Sequence, residues 1–379
     1  MTAPLFGVLA ACGGDEAATD VAQAPVPPVL LAHVAPTLGP FAADGTDAMR
    51  GAQLAVAQAN AAGYTLNGKP TRLELLTEDD AADPARAMDV ARKLAAVPVH
   101  AVVGHLTTAT ALTAAKVYHA AGIAHLTVGA SHPDLTERGF NTAYRLLASD
   151  PQLAQALAVH AIKRLKLTQV AVLDDGSAYG KVLAQAFAAA ITDGGAKVAA
   201  QVSLPREAAA REAALASVWQ AQPDAVFWGG FVDSLQPVWT AMQTAGVKGP
   251  LLGGDGLCTE QLAKTLKPAP ADGRLWCAEA GLVKGKPSAA MQGFNEAFKG
   301  RYGSLPGRYA AASYDAVQLV LDAMTRAKSA SPGAYLPMLA KASYKGLLGT
   351  YAFDAKGNLK RPPVALYQYQ AGAKVAAGG

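Results

Sequence analysis

Cysteine is nearly missing from this chain: of 379 residues only Cys12, Cys258 and Cys277 are cysteine, and none stands in a CxxC spacing. That excludes a small disulfide-scaffold fold and the common structural zinc frames. Charge is sparse as well, with 16% charged residues, a net charge of +4 and basic residues scattered along the chain. Nothing here tracks a phosphate backbone, so nucleic acid is not an expected partner. No uninterrupted apolar run reaches the roughly eighteen residues that a membrane-spanning helix needs. Catalytic signatures are absent too. There is no GxSxG, GxxxxGK[ST], HExxH or GxGxxG, and Gly253-Gly254-Asp255-Gly256 has the wrong spacing for a dinucleotide loop. The histidines, from His33 to His160, show no ligand spacing. His105, His125 and His132 could converge near a cleft for metal or acid/base work, or serve as structural or rim residues. Neither catalysis, a cofactor nor a metal is expected.

What is present is apolar: 51% of residues, ample core for two domains. From Val29 onward, short apolar runs alternate with segments of helical period, the pattern of parallel sheets covered by helices. Strands are expected at 29–34, 72–77, 101–104, 124–128, 169–173, 197–204, 225–228 and 251–253. Helices are expected between them, including 46–61, 84–96, 110–121, 153–165, 181–192, 208–220 and 234–245. Gly63, Gly122, Gly194 and Gly246 stand where a helix ends on a left-handed residue. The run ending near Ala148 and the run starting near Asp150 read as two doubly wound α/β halves with a binding cleft between them.

Two small-polar turns stand at expected strand ends, Val103-Gly104-His105-Leu106-Thr107-Thr108 and Val128-Gly129-Ala130-Ser131-His132-Pro133. Backbone N–H groups and short hydroxyls at the carboxyl ends of parallel strands hold an anion, and a free carboxylate suits such a corner. Asp255, between glycines after an apolar strand, either points into the cleft or caps its own turn. Tyr179, in Ser177-Ala178-Tyr179-Gly180, either closes over a ligand or plugs its loop. At the amino terminus, Leu9-Ala10-Ala11-Cys12 resembles a bacterial lipoprotein cleavage box, although the basic start of a secretory signal is missing. Residues 1–28 then form a leader remnant and tether with Cys12 lipidated, or a disordered tail with an incidental cysteine.

Taken in order, Leu38-Gly39-Pro40, Asn60-Ala61-Ala62-Gly63, Asp79-Asp80, Gly104-His105-Leu106 with Thr108, Gly129 through Gly139, Tyr179-Gly180, Gly254-Asp255-Gly256, Tyr314-Asp315-Ala316 and Phe353 through Lys360 resemble the periplasmic leucine/isoleucine/valine-binding proteins. The resemblance runs from about residue 29 to 370. It implies a type I binding protein: two doubly wound parallel-sheet lobes joined by a three-crossing hinge, with 29–149 plus 280–350 in lobe I and 150–279 plus 351–379 in lobe II. It implies a periplasmic, monomeric protein that closes on a branched-chain or similar apolar amino acid and delivers it to the membrane permease of an ABC importer. An alternative is a ligand-sensing protein of the same fold for a polar amino acid, an amide or another small molecule.

By position, Thr108 and Ser131 would hold the ligand's charged ends, with Ala130 in the same turn among the ligand residues, and Gly129 would offer its carbonyl. Asp255 would face the ammonium, Tyr179 would cover the ligand, and Phe231 and Tyr309 would line the side-chain pocket. The resemblance also implies a disulfide between Cys258 and Cys277. Asp44 stands where relatives carry an aromatic residue; it is either a second acid of the cleft or the cap of a helix starting near Thr46.

Overall fold

Strand β1, Val29–Val34, is buried at all but one position because parallel strands lie on each side and helices cover both faces. The computed structural model of the protein describes residues 1–2, 27–260, 262–281 and 287–377. Around β1 gather β2 (Leu73–Glu78), β3 (Val99–Gly104), β4 (Ala124–Thr127) and β5 (Ala143–Arg145), all parallel, in the order β2-β1-β3-β4-β5. The connections carry α1 (Ala42–Ala61), α2 (Pro84–Ala95) and α3 (Thr108–Ala120). Helix α2 begins where its sequence says it should: the Asp83 side chain accepts the Arg86 N–H, and Pro84 opens the first turn.

The second lobe repeats the plan. Helix α4 (Asp150–Lys163) leads into β6 (Gln169–Asp174), α5 (Ala178–Asp193), β7 (Lys197–Ser203), α6 (Ala208–Gln220), β8 (Ala225–Gly229), α7 (Gln236–Thr244), β9 (Leu251–Gly253) and β10 (Leu275–Ala280). The sheet order is β7-β6-β8-β9-β10-β11-β12, with β11 (Val364–Gln370) and β12 (Ala373–Ala376) added antiparallel at one edge. In both sheets the order reverses beside the first strand, and an open α/β sheet binds ligands at such a switch point.

The chain passes between the lobes three times: after β5, after β10 and between Leu359 and Val364. In between, α8 (Ala289–Tyr302), α9 (Ala310–Ala327) and α10 (Pro332–Ala340) return to the first lobe, where Val317, Val320, Met324 and Leu339 join Leu31, Ala101 and Leu126 in one core. Tyr351, Phe353 and Leu359 are buried in that same core, so the first lobe reaches past the 350 boundary expected from the sequence. Arg145 anchors the crossings. Fully buried, it donates to the side chain of Asn358, the carbonyls of Ala130 and His132, and the Thr136 hydroxyl.

Two local expectations are corrected. Helix α5 ends on Gly194 in right-handed conformation, and it is Gly195, φ +92°, that turns left-handed, whereas Gly63, Gly122 and Gly246 do take positive φ. Helix α1 starts at Ala42, one turn earlier than Thr46, which places Asp44 inside the first turn.

Candidate functional site

The carboxyl ends of β3 and β4 build one wall. Gly104 has φ +130°, and a Cβ there would lie 2.0 Å from the Val34 carbonyl, so only glycine lets β3 end against β1. Thr107 then stands at the N-cap of α3 without a side-chain cap bond and Thr108 opens the helix, with the N–H groups of a helix start beside it. Thr127 ties the two turns together: its hydroxyl donates to the His105 carbonyl at 2.8 Å and accepts the N–H groups of Ala130 at 3.0 Å and Gly129 at 3.3 Å. What Gly129 can still offer is its carbonyl. Ala130 lies behind the wall, its N–H on Thr127 and its carbonyl on Arg145, packed with Ala111 and Leu135.

The opposite wall comes from the second lobe. Asp255 follows β9, and its Oδ1 accepts the Ala280 N–H at 2.8 Å. Next to it, the Gly256 N–H donates to the Tyr179 hydroxyl at 3.1 Å, and a Cβ on Gly256 would sit 2.3 Å from the Gly230 carbonyl. The disulfide Cys258–Cys277, Cα atoms 5.5 Å apart, fastens this loop to β10. Lys374 on β12 fastens it again, donating to the Cys258 carbonyl and to Glu279 at 3.0 Å each. Burial, and then the negative charge of Glu279, push Asp255 up to about 7, against the Ala280 N–H and the charges of Arg308 and Lys374.

Aromatic rings close the mouth. Phe41 from the first lobe meets Phe231 from the second edge-on at 5.0 Å, and Tyr179 lies 5.1 Å beyond. Phe41, Asp44, Thr108, Gly129, Ser131, Tyr179, Phe231, Asp255 and Tyr309 line one cavity of about 30 Å³. That is room for about two waters, so an amino acid enters only when the lobes part. Every residue expected from the sequence to contact ligand, Ala130 excepted, lines this cavity.

Besides Phe41, two participants were not anticipated. Arg308, just before α9, bridges the lobes: it donates to Asp44 at 2.7 Å and to the Asp255 carbonyl at 3.0 Å, with its guanidinium 4.6 Å from the centre of the Tyr309 ring. Asp44 is therefore an ion-pair partner in the cleft, which replaces the helix-cap reading; the start of α1 has no side-chain cap. Burial works against the Arg308 charge, and Tyr309, Asp44 and Asp255 outweigh it. The second is Asp150 at the first crossing, whose N–H bonds the Ser131 carbonyl. It is fully buried, and although the Ser131 side chain favours its charge, neither carboxylate oxygen closes a well-formed hydrogen bond. Burial and then, against Ser131, the charge of Asp255 push it up to about 7. Its signal in the sequence, Ser149-Asp150-Pro151, reads as a helix start and nothing more.

The histidines go elsewhere. His105 is locked in the first-lobe core between Asp80 at 2.6 Å and the Tyr118 hydroxyl at 3.0 Å, beside His125. His132 bonds the Asp134 N–H, away from the cavity. Among the described residues no cluster of His, Cys, Asp and Glu could hold a metal ion, and no helix is long and apolar enough to cross a membrane. Cys12 lies outside the described residues.

This cleft between two doubly wound lobes is the arrangement of type I periplasmic binding proteins. A periplasmic binding protein family profile matches residues 28–374, and the chain belongs to that family. Among characterised relatives, Leu/Ile/Val-binding protein homolog 1 of Brucella abortus is 29% identical over 357 residues, covering 91% of each chain. Among solved structures, the leucine binding protein LivK of Thermotoga maritima superposes with a TM-score of 0.81 at 24% identity, covering 92% of this chain and 98% of that one. The branched-chain amino acid transporter substrate binding protein LivJ of Streptococcus pneumoniae, solved with isoleucine, gives 0.78 at 24% identity, covering 93% and 100%.

Proposed function

We propose that this protein captures a free amino acid in the interlobe cleft by hinge closure and hands it to the membrane permease of an ABC importer. The observation that carries this reading is the meeting, in one cavity, of a hydroxyl and helix-start corner from the first lobe with a buried acid from the second. A zwitterion leaving water needs a partner for each charge. Thr108 and Ser131 receive the carboxylate, and Asp255, with the Gly129 carbonyl, receives the ammonium. Ligand held by one lobe gains further contacts when the other closes, which shifts the population toward the closed form. The names of the relatives put branched-chain and similar apolar acids first among the ligands to try. A periplasmic location, with Cys12 as a lipid anchor, completes the proposal.

A thermal-shift panel of the twenty amino acids tests it. A bound acid at a hundred times its Kd adds about 2.7 kcal/mol of stability, an upward shift of several degrees. If no amino acid moves the midpoint of the folded protein, the reading fails.

A further inference from the structure

We infer that the Asp44–Arg308 pair reads the ligand's side chain and selects a neutral amino acid carrying an amide over a purely aliphatic one. The inference rests on the amino-acid reading of the cleft. Both residues line the same cavity as Thr108, Ser131 and Asp255, and neither side chain is fully buried, with 23% of Arg308 and 31% of Asp44 exposed. A guanidinium has five N–H donors. Arg308 commits one to Asp44 Oδ2 and one to the Asp255 carbonyl, and among the described residues its other donors and Asp44 Oδ1 have no hydrogen-bond partner. The cavity lining therefore presents spare donors next to a spare acceptor, both held in place: Arg308 by Tyr309 and the Asp255 loop, Asp44 by the first turn of α1.

A primary amide complements this couple, its carbonyl accepting from Arg308 and its NH2 donating to Asp44. The pair is neutral in sum, so a carboxylate or ammonium on the side chain would leave an unmatched charge in the closed cleft. A wholly aliphatic side chain would strip water from the spare donors and acceptor and give nothing back. Phe41, Phe231 and Tyr309 still supply an apolar wall for the methylenes leading to the amide.

Calorimetric titration of the purified protein with L-glutamine, L-asparagine, L-leucine, L-glutamate and L-lysine decides it. At least one amide should bind tenfold or more tightly than leucine, with glutamate and lysine weaker than that amide. Removing one partner alone would leave a charge unpaired, so the informative variant is Asp44→Leu with Arg308→Met, checked for folding by its melting curve; it should lose the amide preference and favour leucine. Leucine equal to or tighter than both amides overturns the inference and leaves amino-acid capture standing. An unchanged amide-to-leucine ratio in the double variant overturns it, as does an equal loss for every amino acid, which would place Arg308 on the ligand's carboxylate. If none of the five binds, this inference falls, while the amino-acid reading is decided by the panel of twenty.

Discussion

Asp255 concentrates the chemistry of the cleft in one carboxyl group. Raised to about 7 by burial and Glu279, it is only partly ionised in the empty protein at neutral pH, yet an ammonium is held by the ionised form. Affinity should therefore fall as pH drops through 7 and level off above it, with proton release on binding. Asp255→Asn should lose about 3 to 5 kcal/mol, the cost of a buried charge left without its partner, or about two to three and a half decades of affinity, with a shallower pH dependence. Calorimetry at pH 6, 7 and 8 in two buffers of different ionisation enthalpy reads both effects; near-native affinity in the variant would remove Asp255 from the site. The sequence showed the acid between its glycines but left open whether it capped its own turn. Nothing local distinguishes the two, because the deciding contact is the Ala280 N–H on a neighbouring strand.

Helix starts carry the site, and one of them is held from outside. Tyr309 gives α9 no side-chain cap; instead Asp47 on α1 accepts the N–H groups of Gly307 at 2.6 Å, Tyr309 at 2.9 Å and Ala310 at 2.8 Å. One carboxylate thus fixes the loop that presents Arg308 and Tyr309 to the cleft. Asp47→Ala should cost about 2 kcal/mol, the upper range for a lost cap, and should weaken ligand binding as well, whereas Asp47→Asn keeps an acceptor and should recover most of both. Urea melts alongside ligand titrations test this, and an alanine variant as stable as the parent would sink it. Elements of this kind were partly legible. The helices through Gln236–Thr244 and most strands through Leu251–Gly253 followed from apolar period and punctuation, but α8, α9, α10 and the strands β5, β10, β11 and β12 were not identified. β5 and β12 are short edge strands, whereas β10 and β11 lie inside the second sheet, and pairing with β4, β9, β10 and β11 defines the four more than their own residues do.

At the scale of the whole molecule, buried ionisable groups of opposite sign balance one another. His33 and His125 are driven down to about 3, by burial first and then by the charge of His105. The unfolded chain takes up these protons near pH 6.5 and the folded one does not, so their stability, full above 6.5, drains away toward pH 3. Asp150 and Asp255, raised to about 7, act the other way: the folded state takes the proton first, so their contribution is full below 3.8 and is lost as pH rises through 7. Each group contributes a slope of about 1.4 kcal/mol per pH unit. Asp150→Asn removes one of the compensating acids, and between pH 7 and 5 the variant should lose about 1.4 kcal/mol per unit of acidification relative to the parent. Parallel pH dependences in urea unfolding would show that Asp150 does not titrate as its burial dictates.

The sequence by itself determined the α/β class, the two-lobe plan and most of the side chains that line the cleft. These rest on local period, on turn residues and on a long ordered set of short motifs, all written along the chain. The tertiary structure alone decided that Asp44 pairs with Arg308, that Asp150 is buried without a well-formed partner, that His33, His105 and His125 belong to the core, and that Ala130 stands behind the wall. Residues far apart in the chain make those contacts, Asp44 with Arg308 above all, and burial and pairing set a side chain's charge and availability only once the two lobes are packed together.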